Sequence, residues 1–198
     1  MKKYAFGADI GGTTVKIGLF KTSGELLDVW EIPTRTIENG IYILSDIAKQ
    51  IEKKIIEKGI DKTEIEGIGM GVPGPVDENG QVLGCVNLGW DVFNVEEEMT
   101  KLTGLKAKAG NDANIAALGE MWKGGGSGYK NLIMVTLGTG VGGGIILDEK
   151  ILSGVHGAAG EIGHIPMSDE EEECCGCGKK GCLEQYASAN GIVKIAKR

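Results

Sequence analysis

Long apolar runs are missing: no stretch approaches the ~20 consecutive apolar residues that a membrane-spanning helix needs. A basic excess is missing too. Asp and Glu number 28 against 21 Lys and Arg, and the net charge of -7 argues against nucleic acid or an anionic membrane as the main partner. The segment Met1 to Asp9 has a charged tip but no long apolar region and no cleavage site, so no secretory signal is expected and a cytoplasmic protein is. Glycine shows no three-residue period, which excludes a collagen-like chain. Histidine is scarce, with two residues in the chain.

Glycine is nevertheless the outlier in amount. There are 34 glycines, where an average usage of ~7% gives about 14. They cluster at 11–12, 71–74, 124–128, 138–144 and 154–163, marking places where the backbone turns sharply or approaches a ligand closely. Four of the five cysteines lie within Cys174–Cys182, and in a chain without an export signal such bunching favours a metal over disulfides. The length of 198 residues suits one to two domains and a sizeable core.

Along the chain, Tyr4–Ile10, Val15–Phe20 and Leu26–Ile32 read as strands separated by the turns Gly11-Gly12 and Thr22-Ser23-Gly24. Ile43, Leu44, Ile47, Ile51 and Ile55 repeat at helical spacing up to Gly59, a C-cap. Ile65–Val72 predicts a buried strand running into Gly71-Val-Pro-Gly-Pro75. Asn94 with Glu97 predicts a capped short helix, Leu105–Ala109 a strand and Ala113–Trp122 a helix. Beyond the linker at 124–128, strands are expected at Leu132–Leu137 and Gly143–Leu147 around a turn at Gly138–Gly140, and a helix starts at Ser188 or Asn190. Asp9–Phe20 can be laid on Thr136–Leu147, which suits a duplicated domain with one glycine hairpin in each half. The acidic run Asp169–Glu173 reads as a solvated loop.

Two glycine patterns are decoys. Gly138, Gly140 and Gly143 spell the dinucleotide fingerprint, but that motif must open a helix and here Ile145-Ile146-Leu147 continues as a strand. Gly178-Lys179-Lys180 lacks the Ser or Thr of a P-loop. What remains is Asp9-x-Gly11-Gly12-Thr13-Thr14-x-Lys16 on a hairpin. Its turn amides can converge on an anion, and its strand-end carboxylate can hold Mg2+ through water. A plain hairpin ending in an aspartate has the same pattern.

Zinc takes four tetrahedral sulfur or nitrogen ligands. Cys175, Cys177 and Cys182 supply three thiolates on a glycine-rich knuckle, with His164 or Cys174 as the fourth ligand. Full coordination by protein leaves no open position, so a zinc ion here is structural.

Six ordered motifs then resemble the ROK family, which includes bacterial glucokinases, fructokinases, N-acetylmannosamine kinases and sugar-responsive repressors. They are Asp9-Ile-Gly-Gly-Thr13, Gly71-Val-Pro-Gly-Pro-Val-Asp77, Asn111-Asp112 through Glu120, Gly138-Thr-Gly-Val-Gly-Gly-Gly144, Gly157-Ala-Ala-Gly-Glu-Ile-Gly-His164 and Cys175-x-Cys-Gly-x-x-Gly-Cys-Leu-Glu184. The resemblance implies an α/β, actin-like ATPase (ribonuclease H-like) fold with two similar domains around a cleft. Residues 1–118 would form the smaller domain and 119–198 the first part of the larger, incomplete here and missing its adenine pocket. It implies Asp112 as general base, with Asn111, Glu161, His164 and Glu184 on sugar hydroxyls and Gly74 against the sugar. The two hairpins would face ATP and Mg2+ through Asp9, Gly11, Gly12, Thr13, Thr14 and Lys16, and through Gly138, Thr139, Gly140 and Gly142. His164 would serve twice, binding zinc through one ring nitrogen and sugar through the other.

Asn87-Leu-Gly-Trp90 looks like the glucokinase version, which adds Asn87 to the sugar residues and makes glucose, at the head of glycolysis, the expected hexose. N-acetylmannosamine and fructose are the alternatives. A sugar-sensing repressor would need a helix-turn-helix before the sugar domain, and eight residues precede Asp9. A non-catalytic sugar-binding fragment is the remaining alternative. Homodimers or homotetramers are usual in the family.

Overall fold

A computed structural model describes residues 2–154 and 157–197. The chain forms two compact units, Met1–Asp112 and Ala113–Arg198. They divide at the start of α3 (Asp112–Lys123), the helix that also contains residue 118.

The first unit begins with an antiparallel meander, β1 (Tyr4–Ile10), β2 (Thr14–Lys21) and β3 (Leu26–Pro33). Helix α1 (Ile43–Lys58) then crosses over to β4 (Ile65–Val72), which lies parallel to β1. A two-stranded hairpin, β5 (Gln81–Cys85) and β6 (Trp90–Asn94), precedes α2 (Val95–Thr103) and β7 (Ala107–Asn111), parallel to β4. The sheet order is β3-β2-β1-β4-β7.

Alternation explains the strands: Phe6, Ala8 and Ile10 on β1 and Val15, Ile17 and Leu19 on β2 all turn inward. The helical stripe Ile43, Leu44, Ile47, Ile51 and Ile55 is buried in the same core, each isoleucine worth roughly 1.5–3 kcal/mol of burial. Gly59 closes α1 at φ 61°, its N–H reaching the carbonyls of Ile55 and Ile56. Asn94 caps α2 by accepting from Glu97 N.

Two details of this unit differ from the sequence pattern. The β5–β6 hairpin has no counterpart among the expected elements, because its strands are only five residues long, Gly84 interrupts β5, and Gly80 and Gly89 sit immediately before the two strands. Strand β7 begins at Ala107 rather than Leu105. Leu105 is used in closing α2: its N–H donates to Thr103 Oγ1, which itself donates to Met99 O.

The second unit carries β8 (Leu132–Leu137), β9 (Val141–Leu147) and β10 (Lys150–Ile151) as another antiparallel meander, in the order β10-β9-β8. It ends in α4 (Glu184–Ala187) and α5 (Ala189–Ala196), the latter capped by Ser188. The two hairpins echo each other in topology, but their closures differ. Ile10 pairs with Val15 across Gly11–Thr14, whereas Leu137 pairs with Val141 across Gly138–Gly140. A gapless overlay therefore slips by one residue on the second strand, and β9 starts two residues before the expected Gly143.

The glycines of β9 answer to packing. A Cβ on Gly143 would lie 2.4 Å from Gly160 O, and one on Gly144 would lie 2.6 Å from both Ala113 O and Ala117 Cβ. Backbone therefore lies directly on backbone there. The acidic run is not simply solvated either. Glu171 is 6% exposed and accepts from Tyr186 Oη at 3.3 Å and Lys194 Nζ at 3.4 Å, which ties the loop to α4 and α5. Among the described residues, no helix is long and apolar enough to cross a membrane.

Candidate active site and metal centre

Parallel strands deliver their carboxyl ends to the same edge of a sheet, where open α/β sheets take their ligands. Strands β1, β4 and β7 do this here. Asp9 stands opposite Gly71, and Gly71 opposite Gly110, with Asn111 and Asp112 following at once. Gly71 keeps the row open. A Cβ on it would sit 3.8 Å from Asp9 Oδ1, 3.6 Å from Asp112 Cα and 3.9 Å from Asp112 Cβ, so Gly71 lies between these two residues.

The loop after β4 is held in place from three sides. Gly74 N donates to Val72 O at 2.8 Å, Asn111 Nδ2 donates to Gly74 O at 3.4 Å, and the Cys85 thiol donates to Pro73 O at 3.0 Å. Gly74 packs tightly there, since a Cβ would lie 3.0 Å from Gly84 O and 3.3 Å from Cys85 Cβ. Burial pushes the Cys85 thiol above its ordinary range, and the nearby Asp112 carboxylate adds to the effect. That thiol is a neutral hydrogen-bond donor, and nothing in the sequence singled it out.

The glycine hairpin lies within the same unit. Asn87 borders it: a Cβ on Gly12 would be 3.7 Å from Asn87 O. Trp90 anchors this neighbourhood from beneath, donating from Nε1 to Gly40 O at 3.1 Å. Thr13 and Thr14 are exposed at the turn. Lys16 stands directly opposite Asp9 on β2, with Nζ 3.8 Å from Glu31 Oε1 on β3.

In the second unit, His164, Cys175, Cys177 and Cys182 converge, with all four ligand atoms within 4.8 Å of one another. A tetrahedral zinc site with Zn–S near 2.3 Å and Zn–N near 2.0 Å has ligand–ligand edges of about 3.5–3.8 Å. The cluster matches that scale. Cys177 Sγ and Cys182 Sγ are 3.6 Å apart, and Cys175 Sγ and His164 Nδ1 are 3.7 Å apart. Both separations far exceed a bond, and all five cysteines are free thiols.

Of the two candidates for the fourth ligand, the geometry selects His164. Cys174 is exposed and lies in a bridge to Lys180. Desolvation, then the neighbouring thiols, push Cys182 up to about 12, and burial raises Cys175, whereas a backbone hydrogen bond from Lys179 lowers Cys177. A bound cation supplies the counter-charge that thiolate ligands require. His164 presents Nδ1 to the thiols, while its Nε2 lies 3.9 Å from Glu161 Oε2.

Glu184 joins this cluster to the second glycine turn. Its Oε2 accepts from Val141 N at 3.0 Å, and its Oε1 lies 3.6 Å from Cys175 Sγ. Gly140 makes room for that carboxylate, because a Cβ there would lie 2.2 Å from Glu184 Oε2. Gly138 and Thr139 form the rest of the turn, and Gly138 O accepts from Ala189 N at the start of α5. Gly142 lies against Ala113 and Thr136.

The ROK family model matches residues 5–198. The glucokinase of Halalkalibacterium halodurans is 47% identical over 195 residues, which is 98% of this chain and 59% of that protein. The xylose repressor of Caldicellulosiruptor bescii is 33% identical over 97% of this chain and 48% of its own length. Among solved structures, a ROK family glucokinase from Streptomyces griseus in complex with glucose and AMPPNP superposes with a TM-score of 0.80 at 36% identity, covering 98% of this chain and 60% of that one. The chain thus spans about three-fifths of the glucokinases it resembles. A family model reaching from residue 5 to residue 198, together with close superposition on a solved member, establishes that this chain belongs to the ROK family and has its mixed α/β, actin-like ATPase fold.

Proposed function

We propose that the chain supplies the sugar- and phosphate-handling part of an ATP-dependent hexose kinase that converts glucose to glucose 6-phosphate. The observation that carries this reading is the row of Asp9, Gly71 and Asp112 beside a glycine hairpin. Phosphoryl transfer is largely positioning and electrostatics. It needs a carboxylate at the attacking hydroxyl and donors around the phosphates. Asp112 takes the first role, accepting the hydroxyl proton as the oxygen attacks the γ-phosphorus. Asn111 and Gly74, already hydrogen-bonded to each other, present the sugar with a fixed edge, and Asn87 extends it.

Glu161, His164 and Glu184 offer the acceptors and mixed donors that a polyhydroxylated ring requires. Gly11, Gly12, Thr13 and Thr14 offer phosphate donors, with Gly138, Thr139, Gly140 and Gly142 as the second glycine segment and Lys16 as a nearby charge. Asp9 would hold Mg2+, which would neutralise phosphate charge. His164, Cys175, Cys177 and Cys182 would hold a structural Zn2+, which would lock the 164–184 segment that carries His164 and Glu184 and follows Glu161. Residues 1–118 are assigned to the smaller domain and 119–198 to the start of the larger, in a cytoplasmic homodimer or homotetramer of the family type.

Glucose is favoured by the 47% identical glucokinase and by Asn87-Leu-Gly-Trp90. The xylose repressor among the relatives supports a second reading, sugar sensing without turnover. A coupled ADP-release assay on the full-length protein with glucose, fructose and N-acetylmannosamine separates them. Turnover greatest with glucose is expected. Sugar binding without ADP release from any of the three would favour the sensor.

A further inference from the structure

A phosphate turn works only if its amides face outward, and a two-glycine turn has no intrinsic reason to hold that orientation. Thr34, the first residue beyond β3, supplies one. Its hydroxyl donates to Gly11 O at 2.6 Å, and its own N–H donates to Thr13 O at 2.9 Å. In a planar trans peptide the carbonyl and the N–H point in opposite directions. Holding Gly11 O and Thr13 O towards the end of β3 therefore turns the N–H groups of Gly12 and Thr14 away from it. The Gly12 N–H has no acceptor among the described residues.

The Gly11 N–H closes the hairpin by donating to Thr14 O at 3.0 Å, so the turn is fixed at both carbonyls and at its base. We propose that Thr34 is a positioning residue for the nucleotide phosphates: it clamps the carbonyl side of the Gly11–Thr14 turn so that the amide side is preset for an anion. This rests on the reading of that hairpin as the phosphate turn. The half-buried hydroxyl hydrogen-bonds to turn backbone, so its effect belongs to nucleotide affinity rather than to sugar affinity.

The test is calorimetric titration of the full-length protein with Mg2+–AMPPNP and, separately, with glucose. Thr34→Val keeps the β-branched shape and the backbone N–H but removes the hydroxyl, and Thr34→Ser restores it. Losing one such hydrogen bond should weaken AMPPNP binding roughly 3- to 10-fold in Thr34→Val, with Thr34→Ser close to the parent. Glucose affinity should not change in either variant.

Parent-like AMPPNP binding in Thr34→Val overturns the inference. So does an equal loss of glucose affinity, or a Thr34→Ser variant as weak as Thr34→Val. Should Thr34→Val fail to fold, Thr34→Ala against Thr34→Ser makes the same comparison. Asp9→Asn tells the two levels apart. If it weakens AMPPNP binding while Thr34→Val does not, the hairpin reading stands and the clamp falls. If neither variant weakens it, both fall.

Discussion

Asp112, proposed as the general base, is also the first residue of α3. Asp112→Asn separates the two roles. Asparagine serves a helix start about as well as aspartate, but its amide oxygen is a far weaker base. The expected result is a fall in kcat of roughly 10²–10⁴ with the melting temperature and zinc content unchanged. A variant retaining more than about a tenth of parental kcat would place the base elsewhere. The aspartate and its neighbour Asn111 stood out in the sequence through their motif. Cys85 and Thr34 did not, because what each one holds is a backbone carbonyl 12 or 23 residues away along the chain.

Helix α1 owes its end to a single glycine. Nothing lies within 4 Å of a Cβ built on Gly59, so Gly59→Ala tests backbone conformation without a clash. Its left-handed φ of 61° should make the variant about 1–2 kcal/mol less stable, read as a lower melting temperature, with Gly59→Asn intermediate. The junction of β3 and α1 carries a charge test. Hydrogen bonds from Lys54 and then Lys58 hold the Asp28 carboxyl below its ordinary value of 3.8. A depressed carboxyl contributes stability that is present above 3.8 and is lost as pH falls through its lower folded value. Acid unfolding of Asp28→Asn should thus converge on that of the parent below pH 3.8, and the parent should be the more stable above it. Equal stabilities throughout would mean that these exposed pairs contribute nothing measurable, which is common for surface ion pairs.

At the scale of the molecule each of the two units has its own kind of interior. Met1–Asp112 has a continuous apolar core, whereas in Ala113–Arg198 the buried apolar residues among those described are Ala113, Ala117, Val141, Ile146, Cys175 and Cys182. Ile133, Val135 and Leu137 of β8 are exposed, so that sheet has less apolar cover. Metal removal should therefore act on one unit. Chelator treatment is expected to release zinc and open the 164–184 segment to protease while the first unit stays protected, and Cys177→Ser should do the same without chelator. Metal analysis finding no zinc in protein prepared without chelators would overturn the metal centre.

What the sequence by itself determined follows from local periodicity and from spacing. The strand alternation of β1 and β2, the isoleucine stripe of α1, the cap at Asn94 and the clustering of Cys175, Cys177 and Cys182 are all short-range patterns, and each appears in the structure. The tertiary structure decided what depends on register between distant segments. It set Asp9 beside Gly71 and Asp112, selected His164 over Cys174, and shortened the second hairpin by one residue. It also buried Glu171 inside an acidic loop. The physical reason is that strand pairing and loop closure bring together groups far apart along the chain, where a one-residue shift changes every partner, and no local pattern encodes that shift.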